Sequence, residues 1–194
     1  MSVVQPRTTL PDPWESDLPS EEEFMRLQDT DGSVRGYEME DGSLIPVAPI
    51  DGRQSTAWGE FYFQLRLHLK QQHLGQIWLD VHTKLDEEGR FRVFPDMIYL
   101  ANDVLHRMDG RRVNGAPTMV CEVTAGKSRE RDYGGKTQTY HRFGVEWYWI
   151  VDVDERRIHE YRHGASTYEE VSTTPFGEPF RPLLFPGFEL TFDL

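Results

Sequence analysis

TMVCEVTAGKSRERDYGGKTQTYHRFGVEWYWIV, residues 118–151, reads as strand, helix, strand, and the rest of the chain organises around it. Thr118 to Thr124 is a short apolar run interrupted only by Glu122, the pattern of a strand buried on both faces. Arg129 to Phe143 reads as a helix closed by Gly144, which suits the left-handed position that ends many helices. Gly134 and Gly135 inside it cost about 1 kcal/mol each relative to Ala, which implies close approach to a backbone or to substrate, or else a frayed first turn. Glu146 to Val151 is built of the aromatic and β-branched residues that strands favour. Glu122 is the anomaly, because a carboxylate inside an apolar strand is costly unless a cation answers it.

Upstream, two further strands are expected at Ile77 to Thr83 and Phe91 to Leu100, joined through a turn at Asp86 to Gly89. Before them, Trp58, Phe61, Leu65 and Leu69 with Tyr62 recur at three- and four-residue steps, giving a helix from Ser55 to about His73 with one apolar face. Val34 to Glu40 and Leu44 to Val47 flank Asp41-Gly42, a hairpin signature. Ser20 caps a short helix whose first turn carries Glu21, Glu22 and Glu23, where carboxylates favour the positive end of the dipole. Residues 102–117 read as a polar connection, and Ile158 to Arg162 with Thr167 to Val171 as a closing hairpin. Residues 1–19, with four prolines and no apolar period, read as an arm or linker, which leaves 20–194 as a single domain.

The 194 residues contain no apolar run longer than five, far short of the roughly 20 that cross a bilayer, so no membrane partner is expected. The N-terminus lacks the apolar core of a secretory signal and the single Cys121 cannot form an internal disulfide, which makes the cytoplasm the expected compartment. A net charge of −12 opposes nucleic-acid binding, yet its distribution is uneven. Residues 1–60 carry 4 basic and 13 acidic side chains, whereas residues 106–136 carry 7 basic and 4 acidic. Lys127, Arg129 and Arg131 are the candidate phosphate contacts in that basic stretch, against the plainer reading of a solvated, mixed-charge surface.

Three chemistries compete. Gly126-Lys127-Ser128 matches the end of a nucleotide-binding loop, which would make the protein a nucleotide hydrolase; Cys121 at the loop's first position brings a β-carbon where glycine is needed. His159-Glu160-Tyr161-Arg162-His163 has the spacing of a zinc-protease helix, but its surroundings predict a strand, where the two imidazoles lie about 13 Å apart. The third candidate joins Asp96, which follows Pro95 in one strand, to Glu122 in another. If those strands are adjacent, both carboxylates meet at one point, where Mg²⁺ or Mn²⁺ would answer them, and Lys136, one helical turn from Asp132 and from Tyr140, aims its ammonium at the same place. The rival reading of the same residues is an Asp132–Lys136 surface pair and a solvated Glu122.

In this order, Pro95-Asp96, Glu122-Val123, Asp132-x-x-x-Lys136-x-x-x-Tyr140 and the segment from Gly144 to Asp152 resemble the Uma-two family of restriction endonucleases, within the PD-(D/E)XK nuclease superfamily. The likeness covers nearly the whole chain from about residue 20. It implies an α/β (α+β) restriction-endonuclease-like core, a mixed β-sheet flanked by helices, with Mg²⁺ or Mn²⁺ held by Asp96, Glu122 and the backbone carbonyl of Val123, and with DNA as substrate. The superfamily's usual lysine position, two residues after the glutamate, is Thr124 here, so the resemblance assigns the amine to Lys136 on the helix. Family members commonly carry a His near Arg53, where this chain has Gln54, and Glu60 is a further acidic candidate on the long helix. The function implied is metal-dependent endonuclease, with a homodimer serving a cut through both strands. Its alternative is a catalytically idle nuclease fold kept as a binding or regulatory module, favoured by the acidity and by Thr124.

Overall fold

The structure, a computed structural model, describes residues 18–30 and 34–193, so the arm expected over residues 1–19 lies outside it up to position 17. Ser20 caps helix α1 (Glu21–Arg26) in a capping box: its hydroxyl accepts from the Glu23 amide while the Glu23 carboxylate accepts from the Ser20 amide. Strands β1 (Gly36–Glu40) and β2 (Ser43–Val47) pair antiparallel around Asp41 and Gly42, both at positive φ, as that turn requires. Helix α2 (Gly52–Gln72) starts three residues before the expected Ser55, because the Asp51 carboxylate takes the free amides of Arg53 and Gln54. Ala57, Phe61, Leu65 and Leu69 form its buried face.

Both strands expected upstream of Glu122 are broken. Ile77 to Thr83 becomes β3 (Gln76–Leu79) and β4 (Thr83–Lys84), with Asp80 at φ 49° between them. Phe91 to Leu100 becomes β5 (Arg92–Val93) and β6 (Met97–Leu100), separated at Pro95, which has no N–H to give a ladder. The polar connection at 102–117 holds a 3-10 turn over Asn102–Arg107 and strand β7 (Val113–Asn114). Then follow β8 (Met119–Thr124), helices α3 (Ser128–Tyr133) and α4 (Gly135–Arg142), β9 (Trp147–Asp152), β10 (Arg157–His163) and β11 (Tyr168–Pro175). Strands β12 (Pro179–Phe180) and β13 (Leu190–Thr191) pair with each other.

The principal sheet has six strands in the order β11-β10-β9-β8-β6-β3. Its β8–β9 pair is parallel and its other pairs antiparallel, because α3 and α4 form the crossover that a parallel connection needs. A second sheet, β2-β1-β5-β4-β7, contributes Val93 and Val113 to the core that holds Ile98, Leu100 and Val120 of the first. Alternation along the strands separates two cores. Met119, Cys121, Val123, Trp149 and Val151 join the α2 face and the C-terminal phenylalanines, whereas Val120, Tyr148 and Ile150 pack with Tyr140 and Val145 on the other side. The architecture is therefore a mixed sheet flanked by helices, and Glu122, being an even position, faces α4.

The helix expected over 129–143 is two helices, with Gly134 at φ −113° and ψ −93° between them. The Asp132 carbonyl accepts from the Thr137 hydroxyl at 2.9 Å and from the buried Tyr148 hydroxyl at 2.8 Å. A β-carbon at Gly134 would stand 2.7 Å from the Glu130 carbonyl oxygen. Helix propensity alone would make Gly134→Ala stabilising by about 1 kcal/mol, but the clash is with backbone and the sign should reverse. Gly134→Ala is expected to destabilise by about 1–3 kcal/mol in urea unfolding, and a stabilised variant would refute the close approach.

Candidate active site

The β6–β8 register pairs Met97 with Cys121, and one step further along the same diagonal places Asp96 opposite Glu122. The break at Pro95 is what frees Asp96 from the ladder: its Oδ2 accepts the Val123 amide at 2.7 Å, in a bond from strand backbone to side chain. Asp96 and Glu122 are 7% and 1% exposed, and both line one cavity of about 540 Å³ together with Asp132 and Lys136. Lys136, 5% exposed, reaches across from α4 with Nζ 2.9 Å from Glu122 Oε1 and 3.5 Å from Asp132 Oδ1. The Asp132–Lys136 pair is thus buried, and the solvated surface pair that its spacing also allowed is not what forms.

The electrostatics follow from this burial. Loss of water pushes both the Asp96 and the Glu122 carboxyls above their usual range; Lys136 opposes the shift, while the neighbouring carboxylates add to it. Burial works against the charge on Lys136 as well, but Glu122, Glu38 and Asp132 outweigh it and hold the ammonium well above its ordinary value. The Tyr140 hydroxyl donates to Glu122 Oε1 at 2.7 Å and is kept neutral by its own burial and by that carboxylate.

Three residues that sequence reasoning did not assign to the site complete it. Glu38, fully buried on β1, accepts the Phe94 amide at 2.9 Å, pairs with Arg131 at 2.5 Å and lies 3.7 Å from Lys136 Nζ. Arg35 sits 3.1 Å from Asp96 Oδ1 and 3.3 Å from Asp80 Oδ1. Gln54 donates from Nε2 to the Val123 carbonyl at 2.9 Å, which fixes the direction of that oxygen. The available signal was faint: Glu38 and Glu40 fall on one face of a strand by the two-residue period, but nothing local says that the face meets α3.

The remaining candidates separate clearly. Glu60 lies exposed on α2, accepts from Gln64, and does not line the cavity. Arg129 is committed to Asp152 and Glu155, and Arg131 to Glu38 and Glu40, whereas Lys127 is exposed at the cavity rim. At Gly126-Lys127-Ser128, Cys121 lies within β8, three residues separate β8 from α3, and the Gly126 amide is donated to Asp154 Oδ2 at 2.6 Å. That is a short turn and not a phosphate-wrapping loop. His159 and His163 both lie on strand β10, as their surroundings predicted.

Among the described residues no three His, Cys, Asp or Glu side chains gather to hold a metal by themselves, and no helix is long and apolar enough to cross a membrane. The donor set of Asp96, Glu122 and the Val123 carbonyl is all hard oxygen, with two carboxylates destabilised by burial; this fits Mg²⁺ or Mn²⁺, which keep water and substrate oxygens for the rest of their shell.

Comparison with known proteins agrees with this architecture. A crystal structure described as a "putative nuclease belonging to DUF820", from Anabaena variabilis, matches with a TM-score of 0.60 at 19% identity, covering 81% of this chain and 84% of that one, and shares the fold. The type IIG restriction endonuclease BpuSI matches at 13% identity and a TM-score of 0.41, over 68% of this chain and 15% of its own. No curated protein matches the chain significantly. The family model described as "Putative restriction endonuclease" matches residues 21–193, and the chain belongs to that family, Uma2.

Proposed function

We propose that the protein is a metal-dependent endonuclease that hydrolyses phosphodiester bonds in DNA, with Asp96 and Glu122 as metal ligands, the Val123 carbonyl as a third oxygen donor, and Lys136 as the catalytic cation. One observation carries the reading: two carboxylates from adjacent strands and an ammonium from a helix, all nearly buried, converge on one solvent-connected cavity. When bound, Mg²⁺ or Mn²⁺ supplies Lewis-acid neutralisation of the phosphate's negative charge. Lys136 gives a fixed positive donor to a phosphoryl oxygen or to the attacking water, at no reorganisation cost because its carboxylate neighbours already hold it. Tyr140 and Asp132 position Glu122 and Lys136, and Gln54 holds the Val123 carbonyl.

The Arg35–Asp96 contact favours a second reading, in which a protein cation stands where a metal is needed and the fold serves only to bind. A nuclease assay with labelled DNA decides. Cleavage that appears with Mg²⁺ or Mn²⁺ and disappears with EDTA is expected for the enzyme; DNA binding without cleavage at any metal concentration is the result that establishes the binding module.

A further inference from the structure

Arg35 is the one arginine among the described residues that pairs with a carboxylate proposed above as a metal ligand. Both oxygens of that carboxylate are engaged: Asp96 Oδ2 accepts the Val123 amide at 2.7 Å, and Oδ1 accepts from Arg35 Nη1 at 3.1 Å. The first bond ties Asp96 to the backbone of the neighbouring strand, so a divalent ion ligated through Asp96 meets Arg35 at Oδ1. A dication and a guanidinium on one oxygen repel strongly in a nearly buried site. We propose that Arg35 and Asp80 form an exchangeable counter-ion pair that sets the metal affinity of the site: Arg35 answers the Asp96 charge until the metal does, and Asp80 retains the guanidinium once it is displaced. The proposal rests on the nuclease reading and concerns the regulation of that same site.

Asp80 is placed to receive the displaced group. Arg35 Nη2 already lies 3.3 Å from Asp80 Oδ1 and donates to the Phe94 carbonyl at 3.3 Å, so the planar fork serves two anions at once and can give up one of them. Asp80 is exposed, does not line the cavity, and among the described residues pairs with no other cation. Its backbone is fixed beside Asp96, whose carbonyl accepts the Asp80 amide at 3.2 Å, and its φ of 49° is the one that parts β3 from β4. A move of Arg35 from Asp96 toward Asp80 is therefore a move out of the cavity, with one of its two ion pairs kept.

Lys136 has no such alternative. Its three carboxylate partners, Glu122, Asp132 and Glu38, are buried with it, so it stays at the site when a metal binds. The division of labour follows: the lysine is a fixed cation and the arginine an exchangeable one. Apparent metal affinity then falls in proportion to the fraction of molecules in which Arg35 leaves Asp96 free. Removing Arg35 should tighten metal binding, and removing Asp80, which leaves Arg35 with Asp96 as its remaining anion, should weaken it. The exchange also carries its own reporter, because the Arg35 guanidinium lies over the Trp58 ring, 5.4 Å from its centroid.

The test measures Mn²⁺ binding to the full chain without DNA, from the electron paramagnetic resonance signal of the free ion, with circular dichroism to establish folding. Arg35→Gln should bind Mn²⁺ about ten-fold more tightly than wild type, and Asp80→Asn about five-fold more weakly. In the double variant the Asp80→Asn effect should vanish, leaving the affinity of Arg35→Gln, whereas a plain sum of charges would leave it intermediate. Mg²⁺ should change the tryptophan emission of wild type, and the change should be absent from both Arg35→Gln and Trp58→Phe. Asp80→Asn, an exposed substitution to a residue that tolerates positive φ, decides the matter even if Arg35→Gln folds poorly: unchanged or tighter binding there overturns the exchange. Equal affinity in wild type and folded Arg35→Gln, or an Asp80→Asn effect undiminished in the double variant, likewise overturns it and leaves the nuclease standing. No Mn²⁺ binding to wild type or to any variant overturns both proposals.

Discussion

Asp96→Asn and Glu122→Gln should each lower metal-dependent DNA cleavage by about 10²–10³-fold or more, the range seen when one preorganised electrostatic contact to a transition state is removed. The substitutions keep side-chain size, so the loss should appear in kcat and should not follow the fraction folded. Their structural consequences differ, and this separates the two residues. Asn at 96 still offers an oxygen to the Val123 amide, but Arg35 loses the nearer of its two anions. Gln at 122 still accepts from Tyr140, but Lys136 loses its closest carboxylate and keeps Asp132 and Glu38. Circular dichroism and urea unfolding beside the cleavage assay make the comparison. Wild-type turnover in either folded variant would remove that carboxylate from the catalytic centre.

Lys136→Met carries the largest expected effect on stability. The ammonium is the positive group shared by Glu122, Asp132 and Glu38, all nearly or fully buried, and removing one partner of a buried pair costs about 3–5 kcal/mol. The pH dependence gives the cause away. Burial already raises the Glu122 carboxyl in the wild type against the pull of Lys136, and losing the lysine must raise it further. A carboxyl whose folded pKa lies above its unfolded value contributes stability below the unfolded pKa and loses it as pH rises through the folded one. The variant should therefore be weakest at neutral and alkaline pH and recover toward wild type as pH falls to the ordinary carboxylate range. Urea midpoints across pH 4–8 check this, and a pH-independent deficit would show that lost packing is responsible. Cleavage should fall as well, in the folded fraction, since among the described residues no other amine lines the cavity beside Lys127 at its rim.

Local pattern carried much of the fold. A short apolar run marked β8, aromatic and β-branched residues marked β9, the three- and four-residue steps marked α2, and Ser20 and Asp41-Gly42 announced their own cap and turn. Where prediction drifted, a nonlocal or geometric constraint intervened. Pro95 and Asp80 cut two expected strands, and the non-helical backbone of Gly134, at φ −113° and ψ −93°, divides a helix that propensity only weakened.

The sequence by itself determined which groups were anomalous: a carboxylate within an apolar strand, another after a proline, and a lysine at helical spacing from Asp132 and Tyr140. Such anomalies are legible because burial of charge is costly wherever it occurs. Only the tertiary structure decided what answers them. Register set Asp96 beside Glu122, while β1 brought Glu38 to Lys136 from nearly a hundred residues away in sequence and the residue just before that strand brought Arg35 to Asp96 from 61 residues away, turning Asp132–Lys136 from a surface pair into part of a buried network. Coulomb interaction depends on distance and on the water excluded, and neither is written in the order of residues along the chain.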